Sequence, residues 1–297
     1  MTYQYIDSPS NRSTVISSIV SFAVANAGFT AVDSSGDFQC ISRSGLYWCL
    51  YPVSVSTSTY YQIAARLTSV KPTEATYLSV TGQYMKSGMG MHTYSGPYVG
   101  LHLFTNGIEV NCVLEIISGV FTHLNFGSIT PFGSVVGHYV TGSVYSVADG
   151  YKYNPYNQSI QPYDGGLCSS VGRAAANFRS AMYYGGVFYA ESILYNSVRV
   201  VWGGPGSVYN SHLFSMDYAS YNYRRPLLRM YAVIKITGYR DKVVGVSEQA
   251  RYVNLSRLQN KEIIEDDWMV FPYAQRTKLI GSYFDDSSAS YGIAYKK

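Results

Sequence analysis

The sequence predicts a mainly β (α+β) fold: antiparallel sheets forming a sandwich or barrel-like core, an N-terminal helix, and a long Tyr/Gly-rich loop region. Three observations carry this. One early stretch alone has convincing helical periodicity. Short β-branched and aromatic runs bounded by Gly, Asn and Ser then recur along the chain. Finally, 31 of the 297 residues are Tyr while Asp, Glu, Lys and Arg together make 13%. Tyr offers a large flat area at low entropy cost and keeps a hydroxyl for a partner. Such a surface suits contacts that are wet alone and covered in an assembly.

The helix is read within residues 9–27. Ser8 and Pro9 supply a cap and a first-turn proline. Val15, Ile16, Ile19, Phe22, Ala23 and Ala27 recur at helical spacing, and Gly28 follows as a stop. Ser17, Ser18, Ser21 and Asn26 fall on the other side, so the apolar stripe is read as packing on a sheet. The polar face lacks the Lys and Arg that a membrane-surface helix uses.

Residues 38–41 and 46–53 are apolar runs around Ser42-Arg43-Ser44-Gly45, a hairpin signature. Residues 60–65 form another run. Residues 98–104 and 108–117 read as a second hairpin turning at Thr105-Asn106-Gly107, where Asn-Gly accepts positive φ. In 120–126, Val120, Thr122, Leu124 and Phe126 share one face and Phe121, His123 and Asn125 the other. Both faces are largely apolar, which predicts a strand covered on both sides.

From Gly137 to Gly186 the composition shifts to Gly, Tyr, Ser, Asn and Pro, as in DGYKYNPYNQSIQPYDGG. It lacks the charge of a disordered linker and reads as a long aromatic loop. RAAANFRSAMYYGG, from Arg173, reads as a short helical turn ending at Gly185-Gly186. Residues 197–202, 227–237 and 239–244 return to strand composition. Glu262, Glu265, Asp266 and Asp267, before Trp268, read as a solvated face or a rim charge set, with a metal site as the alternative, and SYFDDSSASYGIAYKK alternates like a terminal strand. The chain thus divides into a helix plus β core (1–136), an aromatic loop or arm (137–196), and a C-terminal β portion completing the same or a second β domain (197–297).

No catalytic, cofactor-binding or metal site is assigned. The chain holds no G-x-S-x-G elbow, G-x-x-x-x-G-K loop, H-E-x-x-H pair or dinucleotide fingerprint. Gly203-Gly204-Pro205-Gly206 is glycine-rich, but its proline removes an amide that an anion site would use. His102, His123 and His138 fall in one β region where a metal is conceivable; the favoured reading is strand histidines bonded to neighbours. Cys40 and Cys49 flank a hairpin turn, so a disulfide is geometrically open to them. No C-x-x-C occurs among Cys40, Cys49, Cys112 and Cys168, and buried free thiols are the favoured reading. The net charge of +4 is spread thinly, unlike the clustered basic footprint of a nucleic-acid binder. Neither a secretory signal nor about 18 consecutive apolar residues is present, so no membrane partner is expected. The pairs Tyr60-Tyr61 and Tyr183-Tyr184 and the set Tyr218, Tyr221 and Tyr223 read as subunit contacts, with sugar stacking as the alternative.

Residues 100–143 carry HLFTN (102–106), a strand ending in Glu115, GVFTHLNFG (119–127) and GHYVTG (137–142). This stretch resembles a segment of virion structural proteins of tailed bacteriophages. The helix-then-hairpin opening and the closing MVFPYAQRT and SYGIAYKK are similar too; the sequence departs at His138, where a second glycine is frequent. The resemblance implies a non-enzymatic virion component joining tail tube, sheath, collar or baseplate proteins, assembled in the host cytoplasm. It implies a homo-oligomeric ring, with a hexamer the expected number. The alternative is a receptor- or carbohydrate-binding tail protein.

Overall fold

The computed structural model describes residues 1–54, 61–73, 89–93, 95–142, 180–196, 227–234, 242–255, 258–272 and 291–297. After strand β1 (Thr2–Asp7) the chain enters helix α1 (Arg12–Asn26). The cap is Asn11, not Ser8: its side-chain oxygen accepts a hydrogen bond from the Thr14 amide at 2.9 Å. Ser8 has φ 46. Its amide donates to the Val99 carbonyl, and the Pro9 carbonyl accepts from the Tyr98 amide. These tertiary bonds hold residues 8–9 against 98–99, so the helix starts after them. At the far end, the Arg43 guanidinium donates to the carbonyls of Ala27 and Gly107, both at 2.9 Å. One cation thereby closes the helix C-terminus and ties it to a distant turn. The buried stripe of α1 contains the predicted Val15, Ile16, Ile19, Phe22 and Ala23.

Strands β2 (Thr30–Ser35), β3 (Phe38–Arg43), β4 (Leu46–Ser54), β5 (Tyr61–Thr68) and β6 (Met89–Thr93) form an antiparallel five-stranded meander. The β3–β4 hairpin turns at Ser44 and Gly45, with φ 53 and 75, the left-handed pair that a two-residue hairpin needs.

The larger sheet holds β1 together with β7 (Gly100–Thr105), β8 (Glu109–Ile117), β9 (Val120–Ser128), β10 (Thr130–Pro131), β11 (His138–Gly142), β12 (Ser180–Tyr184), β13 (Val187–Asn196), β14 (Leu228–Ile234), β15 (Lys242–Asn254), β16 (Ile263–Ile264), β17 (Trp268–Pro272) and β18 (Tyr291–Lys296). Its order is β1-β7-β8-β9-β11-β12-β13-β14-β15-β18-β17-β16, with β10 against β15; among the described residues neither sheet closes on itself. At the β7–β8 turn, the Asn106 side chain accepts from the Ile108 and Glu109 amides while Gly107 takes φ 90. The protein is therefore mainly β and antiparallel, as the sequence predicts.

Strands β7–β9 sit at the centre, and β9 is buried along its whole length. One face meets α1 and the meander: Ile16, Ile19, Trp48, Ile63 and Met91 pack with Leu103, Leu124 and Phe126. The other meets the C-terminal strands: Phe104, Val113 and Phe121 pack with Met230, Phe271 and Tyr295. Each apolar side chain so enclosed contributes about 1.5–3 kcal/mol.

Two sequence expectations are corrected. Residues 180–184, read as part of a helical turn, are strand β12, which hairpins through Gly185 and Gly186 into β13. The described parts of 137–196 are strands of the main sheet, not loop: β11 pairs with both β9 and β12. Gly and Ser dilute their periodicity, yet Tyr, Phe and Val are strand formers once neighbours cover them. The described strands of 197–297 continue the same sheet through β13–β14 pairing. Residues 143–179, 197–226 and 273–290 lie outside the described residues; they include the run at 197–202 and Tyr218, Tyr221 and Tyr223.

Candidate functional site

The histidines resolve into strand fasteners. The His102 Nδ1 and Tyr3 hydroxyl lie 3.0 Å apart, joining β7 to β1. Burial, with Lys261 and Lys297 nearby, lowers the His102 pKa to about 4. His123 pairs with the Tyr295 hydroxyl at 3.0 Å and donates to the Pro272 carbonyl at 2.9 Å, pinning β9 to β18 and β17. His138 pairs with Ser128 Oγ at 2.9 Å, and burial, then Arg43, lowers its pKa. Among the described residues no group of three His, Cys, Asp or Glu side chains is placed to hold a metal ion. The side chain of His92, and all of His212, lie outside the described residues.

Cys40 and Cys49 face each other across β3 and β4 as buried free thiols, sulfur to sulfur 3.3 Å. The hydrogen bond to Cys40, reinforced by burial, pushes the Cys49 thiol up. Cys112 is a buried free thiol as well, and Cys168 is outside the described residues.

Glu109 is the least expected polar group. It starts β8, is fully buried, and its carboxylate meets Ser247 Oγ at 2.5 Å and the Glu248 amide at 3.3 Å. Burial raises its pKa to about 7. Next to it Asn111 donates to Gln249 at 2.9 Å. These contacts fasten β8 to β15 across the interface between the two stretches of the main sheet.

Among the described residues, tyrosine serves the core more than the surface. Tyr51, Tyr98, Tyr139 and Tyr295 are buried; Tyr3, Tyr47, Tyr183, Tyr184 and Tyr231 are half-buried, and Tyr5 is exposed. The exposed apolar surface is aliphatic and aromatic instead. Phe132 is 57% exposed, and Val135 and Val136 of the same loop are exposed too. This loop leaves β10, which is held on β15 by the Phe132 amide bonding to the Val244 carbonyl. The Phe132 ring lies 6.0 Å from that of Tyr231. Because His138 pairs with Tyr183, the loop borders the β12–β13 turn, whose Val187 is 51% exposed. Lys242 sits 5.5 Å over the Tyr184 ring, and Arg229, two residues before Tyr231 on β14, is exposed. The result is an apolar patch with a basic rim.

Among the described residues, β16 ends the strand order and pairs with β17 alone. Ile263 is 46% exposed there. The β16–β17 turn passes through Glu265 and Asp266, both at positive φ, 50 and 67, which points two exposed carboxylates outward from a tight turn. The neighbouring cations are engaged elsewhere, Lys261 with Glu115 at 2.9 Å and Lys296 with Asp267 at 3.2 Å.

An open groove of about 660 Å³ also runs between α1 and β1. Its walls are hydroxyls and amides, chiefly Gln4, Asn11, Ser13, Ser17 and Ser21, without a titratable side chain. Among the described residues no helix is long and apolar enough to cross a membrane.

Sequence reasoning placed the acidic rim correctly but missed Phe132, Val135, Val136 and Val187. A signal was present: SITPFGSVVG sets Phe132, Val135 and Val136 around Gly133 with no strand period, so no single buried face accommodates them. No protein-family model matches the chain, and no curated protein matches it.

Proposed function

We propose that this chain is a structural component of a tailed-phage virion. It joins or stabilises tail tube, sheath, collar or baseplate parts through an oligomeric interface, and no catalytic step belongs to it. The observation that carries the reading is the exposed cluster of Phe132, Val135, Val136 and Val187. Side chains that lose about 25 cal/mol per Å² of apolar area on burial are usually covered in a working protein. The resemblance of residues 100–143 supplies the kind of assembly. At the centre, Glu109 and His123 are occupied in fastening strands. A sandwich-like core belongs to this reading, supported by the face-to-face packing of β8 on β15.

In this account the chain works geometrically. A rigid centre holds the β10–β11 loop and the β12–β13 turn at fixed positions, and repeated copies meet through them as a homo-oligomeric ring, hexameric by expectation. The site of action is the particle, assembled in the host cytoplasm. Quantitative mass spectrometry of purified particles tests it: the chain is expected as an integral component at a hexameric copy number. Its absence from washed particles overturns the reading.

A further inference from the structure

Two exposed features of the large sheet are complementary in both shape class and charge. The first is the apolar patch of Phe132, Val135, Val136 and Val187, rimmed by the exposed cations Arg229 and Lys242. The second is the outer β16 edge, the last strand of the order among the described residues, with Ile263 exposed and Glu265 and Asp266 exposed beside it. Each is an apolar centre inside a rim of one sign, and the two signs are opposite. Lys261 and Lys296, the cations nearest the edge, are held by Glu115 and Asp267, which leaves the turn acidic.

We infer that the patch of one copy receives the β16 edge of the next copy, so that the chain assembles head to tail. This deepens, and rests on, the reading of the chain as a self-assembling ring component by naming the partner surface of that same patch. Two different surfaces make a heterologous contact; repeated, it closes into a ring or continues as a filament, depending on the rotation per copy. An isologous dimer through the patch would bring two basic rims together, and like charges at close range disfavour that arrangement. Ile263 supplies an apolar side chain to sit against Phe132 and Val187. Among the described residues the outer edge of β16 carries no paired strand, and such an edge is of the kind other chains add to.

The test is a charge-swap pair in the full-length chain. One variant carries Arg229→Glu and Lys242→Glu; the other carries Glu265→Lys and Asp266→Lys. All four positions are exposed, so folding should survive, and circular dichroism and thermal melts check that it does. Sedimentation velocity at low salt is expected to show wild type as an oligomer, each variant alone as a monomer, and the equimolar mixture as an oligomer again. As in wild type, and unlike either variant alone, every patch in the mixture finds an edge of opposite sign. Raising salt from about 50 to 500 mM should weaken wild-type association at least tenfold, because rim charges are screened. Self-association of either variant at wild-type strength overturns the pairing while the virion reading stands. So does a mixture that stays monomeric where wild type assembles. A wild type that is monomeric at its highest soluble concentration also overturns the pairing. Particle composition then decides the virion reading on its own.

Discussion

Replacing Glu109 by Gln should stabilise the protein at neutral and alkaline pH. The carboxyl is fully buried where β8 faces β15, and burial moves its pKa from 4.5 to about 7. The shift spans some 2.5 units, and at about 1.36 kcal/mol per unit it corresponds to roughly 3 kcal/mol. The sign follows from proton binding. In the folded state the group holds its proton up to a higher pH than in the unfolded chain. Its favourable contribution is therefore fully present below about 4.5 and lost as pH rises through about 7. In Gln the side-chain oxygen can accept from the Glu248 amide while its NH2 donates to Ser247 Oγ, a hydroxyl that can also accept, and the group never becomes charged. The stability difference between E109Q and wild type should be near zero at pH 4.5, grow between pH 5 and 7, and level off near 3 kcal/mol above pH 8. Urea midpoints of both proteins across that range measure it, and every other titrating group cancels in the difference. A difference independent of pH, or E109Q weaker at pH 8, would refute the reasoning.

Three further outcomes follow from the interior. Trp48→Phe removes a buried indole that donates to the Tyr139 carbonyl at 3.0 Å; a loss of roughly 2–4 kcal/mol is expected by chemical denaturation, and a loss under about 1 would contradict the packing. The His102 imidazole should stay neutral at pH 5.5 and titrate near pH 4, as read by nitrogen-15 NMR; a midpoint near the usual 6.5 would show it to be solvated. In a Cys168→Ser background, Cys40, Cys49 and Cys112 should react with a thiol reagent at least about 100-fold more slowly folded than in denaturant, because all three are buried. Reaction at the denatured rate would mean the meander opens readily.

Much of the fold is legible because local chemistry and tertiary demand agree. Asn106-Gly107 turns where the sequence says, since the Asn side chain itself closes the loop on two amides. The doubly apolar 120–126 run is covered on both sides because β9 lies between the meander and the C-terminal strands. The helix start is misread because Ser8 and Pro9 satisfy every local rule for a cap, yet their backbone groups bond to residues 98–99. Strands β11 and β12 are hidden for a related reason: their pairing with β9 and with each other is long-range, and no short window contains it. The candidate surface is the least legible part. An apolar residue in a loop reads the same whether it folds inward or faces outward, and only the register of β10 on β15 fixes Phe132 outward.

A density map of the intact particle tests the central claim most directly. The account predicts a closed ring of this chain, with Phe132 and Val187 buried at every boundary between copies and Ile263 of the neighbour against them. A map in which those side chains face solvent in all copies would contradict it.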